Sequence, residues 1–126
     1  MNLVTPTGSS FRIPVDLMYA ADDPLAVRLT FRPRGKTPVS WSFARELLIA
    51  GMSGPAGDGD VRIRPVHEEL SEVSIALNSP GGSALLLTSG IPLATFLVRT
   101  SSLVPIGREI TDQRIDAELS AILDGR

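Results

Sequence analysis

Leu25-Ala26-Val27-Arg28-Leu29-Thr30-Phe31-Arg32 is the stretch on which the fold turns. Leu25, Val27, Leu29 and Phe31 fall at every second position, against Ala26, Arg28, Thr30 and Arg32. Side chains alternate across a strand, so a period of two predicts one buried face and one wetted face. A strand of a doubly wound parallel sheet would be apolar on both faces. An amphipathic one belongs to an antiparallel sheet with one side toward water.

On the N-terminal side, Phe11, Ile13, Val15, Leu17 and Tyr19 alternate with Arg12, Pro14, Asp16 and Met18. This predicts a second strand facing inward through its aromatic and aliphatic set. Pro14 has no amide proton, which marks that strand as an edge or a bulge. Ala21-Asp22-Asp23-Pro24 reads as the turn between the two. The first ten residues, by contrast, read as mobile.

On the C-terminal side, Arg34-Gly35-Lys36 reads as a turn into a third strand with Val39, Trp41 and Phe43 inward. The period then changes. Ser42–Gly51 offers a capping serine, helix formers and a glycine suited to a left-handed C′ position, with Phe43, Leu47 and Leu48 as its core stripe. A Gly-rich loop, Met52–Gly59, follows.

The same order then recurs. Val61, Ile63 and Pro65 alternate with Arg62 and Arg64, and Val73, Ile75 and Leu77 with Ser74, Ala76 and Asn78. Ser79-Pro80-Gly81-Gly82 turns the chain into Ala84–Thr88, whose Ala84-Leu85-Leu86-Leu87 is a continuous apolar run. Pro92 sits where a first helical turn tolerates it, and Leu93, Phe96, Leu97 and Thr100 recur at helical spacing. A final helix is predicted from Asp112, with Ile115, Leu119, Ile122 and Leu123 on one stripe. The expectation is a single α+β domain spanning 1–126. It consists of a strongly curved, barrel-like antiparallel sheet from two strand-strand-strand-helix halves, plus a C-terminal helix.

Composition narrows the function. The 126 residues carry a net charge of −2, so no global positive field draws the chain to nucleic acid or anionic lipid. Lys36 is the only lysine among twelve basic residues. An arginine bias suits bidentate contacts at interfaces, and high-GC coding produces the same bias. The absence of cysteine excludes disulfides and thiolate chemistry. No apolar run approaches the roughly 20 residues of a membrane span, and Met1–Pro6 lacks the pattern of a signal peptide. A cytoplasmic protein without membrane insertion is expected.

No catalytic, cofactor-binding or metal site is predicted. His67 is the only histidine, beside the acidic stretch Glu68-Glu69. Without cysteine or a second histidine, a zinc site would depend on carboxylates, which suit zinc poorly. No G-x-S-x-G nucleophile motif occurs. The loop Gly51–Asp60 is rich in glycine but has no G-K-[ST] and leads into a strand, so no helix N-terminus awaits a phosphate. Asp58 and Asp60 fall short of the ligand count of a calcium loop and suit a solvated turn.

Arg28 and Arg32 share the outer face of one predicted strand, and Arg62 and Arg64 that of another. Together with Gly57, Asp58 and Asp60 of the exposed loop they form the candidate partner-binding surface. An arginine face on a curved sheet is also how a single-stranded nucleic-acid-binding module would look. The aromatics needed as stacking platforms fall on the inward registers, so nucleic acid is the alternative and not the expected partner.

Ala21-Asp22-Asp23-Pro24-Leu25-Ala26-Val27, Trp41-Ser42-Phe43-Ala44-Arg45-Glu46-Leu47-Leu48 and Gly57-Asp58-Gly59-Asp60-Val61-Arg62 up to Pro65 resemble the SsgA-like sporulation and cell-division proteins of sporulating actinobacteria. Ile75-Ala76-Leu77-Asn78-Ser79-Pro80 with Gly82, Phe96-Leu97 with Arg99-Thr100, and Glu118–Leu123 match in order and spacing, so the resemblance covers nearly the whole chain. It implies a non-enzymatic, cofactor-free regulator that helps position the tubulin-like division protein FtsZ at the septum, with FtsZ and SsgA-like paralogues as partners. It also implies a whirly-like fold and a homotrimer, and nucleic-acid binding is not regarded as the family's role. Two departures stand out. Family chains usually carry a further strand's worth of residues ahead of the segment matching Leu3–Ser10, so this chain is expected to start late, with its edge strand trimmed or its start codon misplaced. Arg64 stands where the family often has an aromatic.

Overall fold

The computed structural model describes residues 1–4, 8–33, 35–66 and 72–107. The chain opens with β1 (Asn2–Val4) and β2 (Ser10–Arg12). A meander β3 (Val15–Met18), β4 (Ala26–Phe31) and β5 (Val39–Ala44) then runs into α1 (Arg45–Gly51). A second meander, β6 (Val61–Pro65), β7 (Val73–Ser79) and β8 (Gly82–Thr88), runs into α2 (Gly90–Leu103). The two strand-strand-strand-helix halves are therefore as expected. All the pairings are antiparallel, in two sheets ordered β3-β4-β5 and β2-β1-β8-β7-β6. Ladders run within each sheet, and no closed barrel forms among the described residues.

The alternation in β4 does what its period requires. Val27, Leu29 and Phe31 are buried and Arg28 is exposed. They meet the inward residues of β6, β7 and β8 (Ile63, Val73, Ile75, Leu77, Leu86) and the buried stripes of the helices (Leu48, Leu93, Leu97) in one core. Leu25, expected on the same face, lies before the strand and is 37% exposed.

Three expectations are corrected. Phe11–Tyr19 is two strands in two sheets, not one. The Ile13 amide donates to Met1 O in the larger sheet (2.9 Å), while Pro14 O accepts from the Arg32 amide beside the smaller one (3.3 Å). Proline, with no N–H to offer either ladder, stands where the chain changes sheets. Phe11 consequently leaves the core and is 46% exposed. Asn2–Val4 is ordered as a strand between β2 and β8, so the N-terminal segment is not mobile throughout. The signal was weak because a three-residue strand shows no period.

The third correction concerns α1, which starts at Arg45, not after Ser42. Ser42 and Phe43 are spent on the β4 ladder, opposite Arg28 and Val27, and Ala44 takes the cap position without a side-chain cap bond. Gly51 is the last helical residue, not a left-handed one. Its role is close packing: a Cβ there would lie 2.3 Å from Ile63 Cγ2, so glycine lets α1 sit down on β6. The predicted helix from Asp112 lies outside the described residues, as does His67 with Glu68 and Glu69.

Candidate partner-binding surfaces

The candidate arginines divide between the sheets. Arg28 stands on the outer face of β4, between Met18 and Ser42, and Arg32 follows that strand and pairs with Asp16 at 3.2 Å. Around them, Thr30 and Ser40 share a hydrogen bond of 2.8 Å across the ladder. Arg62 and Arg64 are exposed on β6, opposite Ala76 and Ser74. The four do not form one patch along a single strand pair. On the smaller sheet's outer face, the Arg32–Asp16 pair and the Thr30–Ser40 bond stand beside exposed Met18 and Arg28. The larger sheet's outer face carries half-buried Leu85 and Leu87 beside Ala76 and Ser74, with arginines toward its margins.

Gly57, Asp58 and Asp60 belong to a loop that is fastened to β6. Ala56 and Ile63 exchange backbone hydrogen bonds of 2.8 and 3.0 Å. Asp60 contributes its carbonyl to the amide of Asn78, at 2.8 Å. Gly57 has φ +90°, and a Cβ there would lie 2.4 Å from Val61 O and 3.1 Å from Leu47 Cδ1. Only glycine combines that backbone conformation with that approach. Asp58 and Asp60 are exposed. No cluster of three or more metal-ligating side chains occurs among the described residues. No helix there is long and apolar enough to cross a membrane.

Sequence reasoning passed over a buried arginine. Arg45, 1% exposed, begins α1 and reaches the far end of α2. Its Nη1 donates to Val104 O at 2.8 Å and to Thr100 Oγ1 at 3.4 Å. A cation beside the last carbonyls of a helix is favoured by their orientation and by the helix dipole. The guanidinium also lies 4.9 Å from the ring centre of Tyr19, whose hydroxyl donates to Pro24 O at 2.9 Å. The Arg45 amide donates to Leu25 O at 2.8 Å. Two of the sequence blocks, Ala21–Val27 and Trp41–Leu48, thus meet at one junction. The available signal was an arginine between Phe43 and Leu47-Leu48, a charge placed inside an apolar stretch.

Beside this junction lies a cleft of about 760 Å³ between α2 and the strand ends. Leu17, Tyr19, Phe96 and Leu103 give it apolar walls, and Arg12, Arg99 and Glu72 bring charges of both signs. The Met1 ammonium at the same place is held below its ordinary pKa of 8.0, first by burial and then by Arg12.

The chain is similar in sequence and shape to proteins named for sporulation and cell division. Residues 13–109 match the family described as Streptomyces sporulation and cell division protein, SsgA. The sporulation-specific cell division protein SsgB of Streptomyces coelicolor is 43% identical over 98% of this chain and 90% of its own length. The SsgB of Thermobifida fusca is 41% identical over 95% and 88%. The crystal structure of an SsgA-like sporulation-specific cell division protein from Thermobifida fusca superposes with a TM-score of 0.80 at 42% identity, covering 94% of this chain and 88% of that one. A structure from work on SsgB mutations and longitudinal cell division in Streptomyces coelicolor gives 0.77 at 43% identity, covering 84% of each chain. This chain therefore belongs to the SsgA-like family of sporulation and cell-division proteins.

Proposed function

We propose that this protein is a non-enzymatic, homotrimeric adaptor that acts in the cytoplasm at division sites, where it helps position or recruit FtsZ, with SsgA-like paralogues as further partners. The observation that carries the reading is similarity over nearly the whole chain to proteins named sporulation-specific cell division protein SsgB. The surface features suit recognition of other proteins: exposed arginines on two sheets, and a cleft with apolar walls and charged residues. Arg28, Arg32, Arg62, Arg64, Asp58 and Asp60 remain the residues proposed for contact, with Gly57 shaping the loop that presents the two aspartates.

The alternative, a single-stranded nucleic-acid-binding module of whirly-like fold, draws less support. The arginines are divided between two sheets, and Phe31 and Phe43, which a stacking surface would need to expose, are buried.

Co-sedimentation with polymerising FtsZ tests the first reading. The protein is expected in the pellet with polymer and in the supernatant without it. Absence from the polymer pellet, together with tight oligonucleotide binding that weakens steeply with salt, would favour the second. Light scattering coupled to size exclusion checks the trimer.

A further inference from the structure

The two sheets end in edges of different kinds, and the hydrogen-bond parity of each strand says which groups face outward. In an antiparallel pair, alternate residues bond to the partner strand and the others point away from it. The Arg45 amide bonds to Leu25 O, so Phe43, Trp41 and Val39 bond to β4, in register with Val27, Leu29 and Phe31. The amides and carbonyls of Ser40, Ser42 and Ala44 then point off the sheet. These three residues are exposed, and among the described residues no hydrogen bond reaches those outward groups. β5 contains no charge and no proline. It therefore lacks the two devices an edge strand carries in its own sequence to discourage pairing, charge and proline.

We propose that the open edge of β5 is a strand-addition site that receives an extended segment of a division partner. The segment carries apolar residues at alternate positions and small or acidic ones between them. Its main chain bonds to Ser40, Ser42 and Ala44, and pockets beside alternate side chains give the selection. One row of its side chains lies beside half-buried Val39 and Trp41 and is therefore apolar. The other lies beyond Ser40 and Ser42, whose small side chains leave the exposed Arg28 guanidinium room to reach an acidic residue. The occupant is a short segment and not a second copy of this chain. Six residues span about 20 Å, and pairing along so short an edge alone falls well below the ~1,200 Å² at which stable complexes of folded proteins begin. The proposal rests on the adaptor reading for the source of the segment, and the edge itself is tested independently of it.

The test uses the full ¹⁵N-labelled chain and two probes. The first is an acetylated peptide of alternating valine and threonine with one central aspartate, about seven residues long to match the edge. Exchange of the Ser40, Ser42 and Ala44 amides is expected to slow roughly tenfold on saturation, the scale of one or two net hydrogen bonds. S42P, which removes one outward N–H without touching the β4 ladder, is expected to lose the response while the Trp41 and Phe43 amides stay protected. If S42P loses that protection, S42K takes its place, since it keeps the backbone and puts a charge on the edge. Unchanged exchange in the wild type overturns the proposal. Protection of the same amides that rises with protein concentration and needs no peptide also overturns it, because a second copy then fills the edge.

The second probe is purified FtsZ. Binding that weakens roughly tenfold in S42P or S42K supports the proposal. Equal binding by wild type and variant overturns it and leaves the adaptor role standing. No binding by either overturns the adaptor role, and the peptide result alone then decides the edge.

Discussion

β6 and β5 are both edge strands, and they face solvent with different equipment. On β6, parity fixed by the Asn78 amide on Asp60 O and the Val66 amide on Glu72 O turns Val61, Ile63 and Pro65 outward. Ile63 is then occupied in both directions by Ala56, Pro65 has no amide proton, and Gly57 lies tight against Val61 O. On β5 the outward groups of Ser40, Ser42 and Ala44 meet nothing among the described residues. Both edges follow the same ladder rules. Among the described residues, what separates them is a loop from elsewhere in the chain, laid along β6 and not along β5. A Gly-rich loop that reads in sequence as a recognition element is, at Ala56 and Gly57, the cover of a sheet edge.

The sharpest way to break the comparison is to place proline on either side of the β5 parity. Phe43→Pro removes an amide that bonds to β4 and a buried ring, losses of about 3 kcal/mol or more each. The expected outcome is a chain with no cooperative thermal transition by circular dichroism. Ser42→Pro, one residue away, is expected to keep that transition within a few degrees. Equal damage from both would mean that the parity is wrong.

Arg45 anchors the end of the open strand. Arg45→Met keeps the length but loses the bond to Val104 O and the contact with Tyr19, with an expected loss of about 2–4 kcal/mol in urea unfolding. Gly57→Ala strikes the guarded edge. A Cβ at φ +90° and 2.4 Å from Val61 O forces the loop to move, at an expected cost of about 2 kcal/mol. Faster aggregation on mild heating should accompany it, since β6 becomes an open edge, and light scattering checks this. The smallest effect is expected for Arg32→Ala. Its pair with Asp16 is more than half exposed on both sides, and such pairs contribute less than about 1 kcal/mol.

Much of the framework was legible in the residues. The period of two in Leu25–Phe31 and Val61–Pro65 specified strands with one buried face, whereas in the central strand β7 Ser74, on the polar register, is buried as well; the order of elements in the two halves followed from the periods. Pro14 predicts an edge strand or a bulge, and β2 and β3 on either side of it are both edges, but a proline says only that a ladder hydrogen bond is missing. It does not say that the chain crosses from one sheet to another. Ser42 was read as a cap because a serine before helix formers is a local signal, and the β4 ladder outweighs it. Of the candidate surface, exposure of Arg28, Arg32, Arg62 and Arg64 was readable from their registers. Their division between two sheets was not, because register describes one strand pair at a time.

The sequence by itself determined the inward and outward faces of most strands, the two-part order of the chain and the lack of thiol chemistry, since each depends on residue type and short-range spacing. Only the tertiary structure decided which strands share a sheet, that Arg45 closes α2 from the start of α1, and that the loop at Ala56 and Gly57 covers the edge of β6. Those depend on contacts between residues far apart in the chain, where the local pattern is the same whichever partner is chosen.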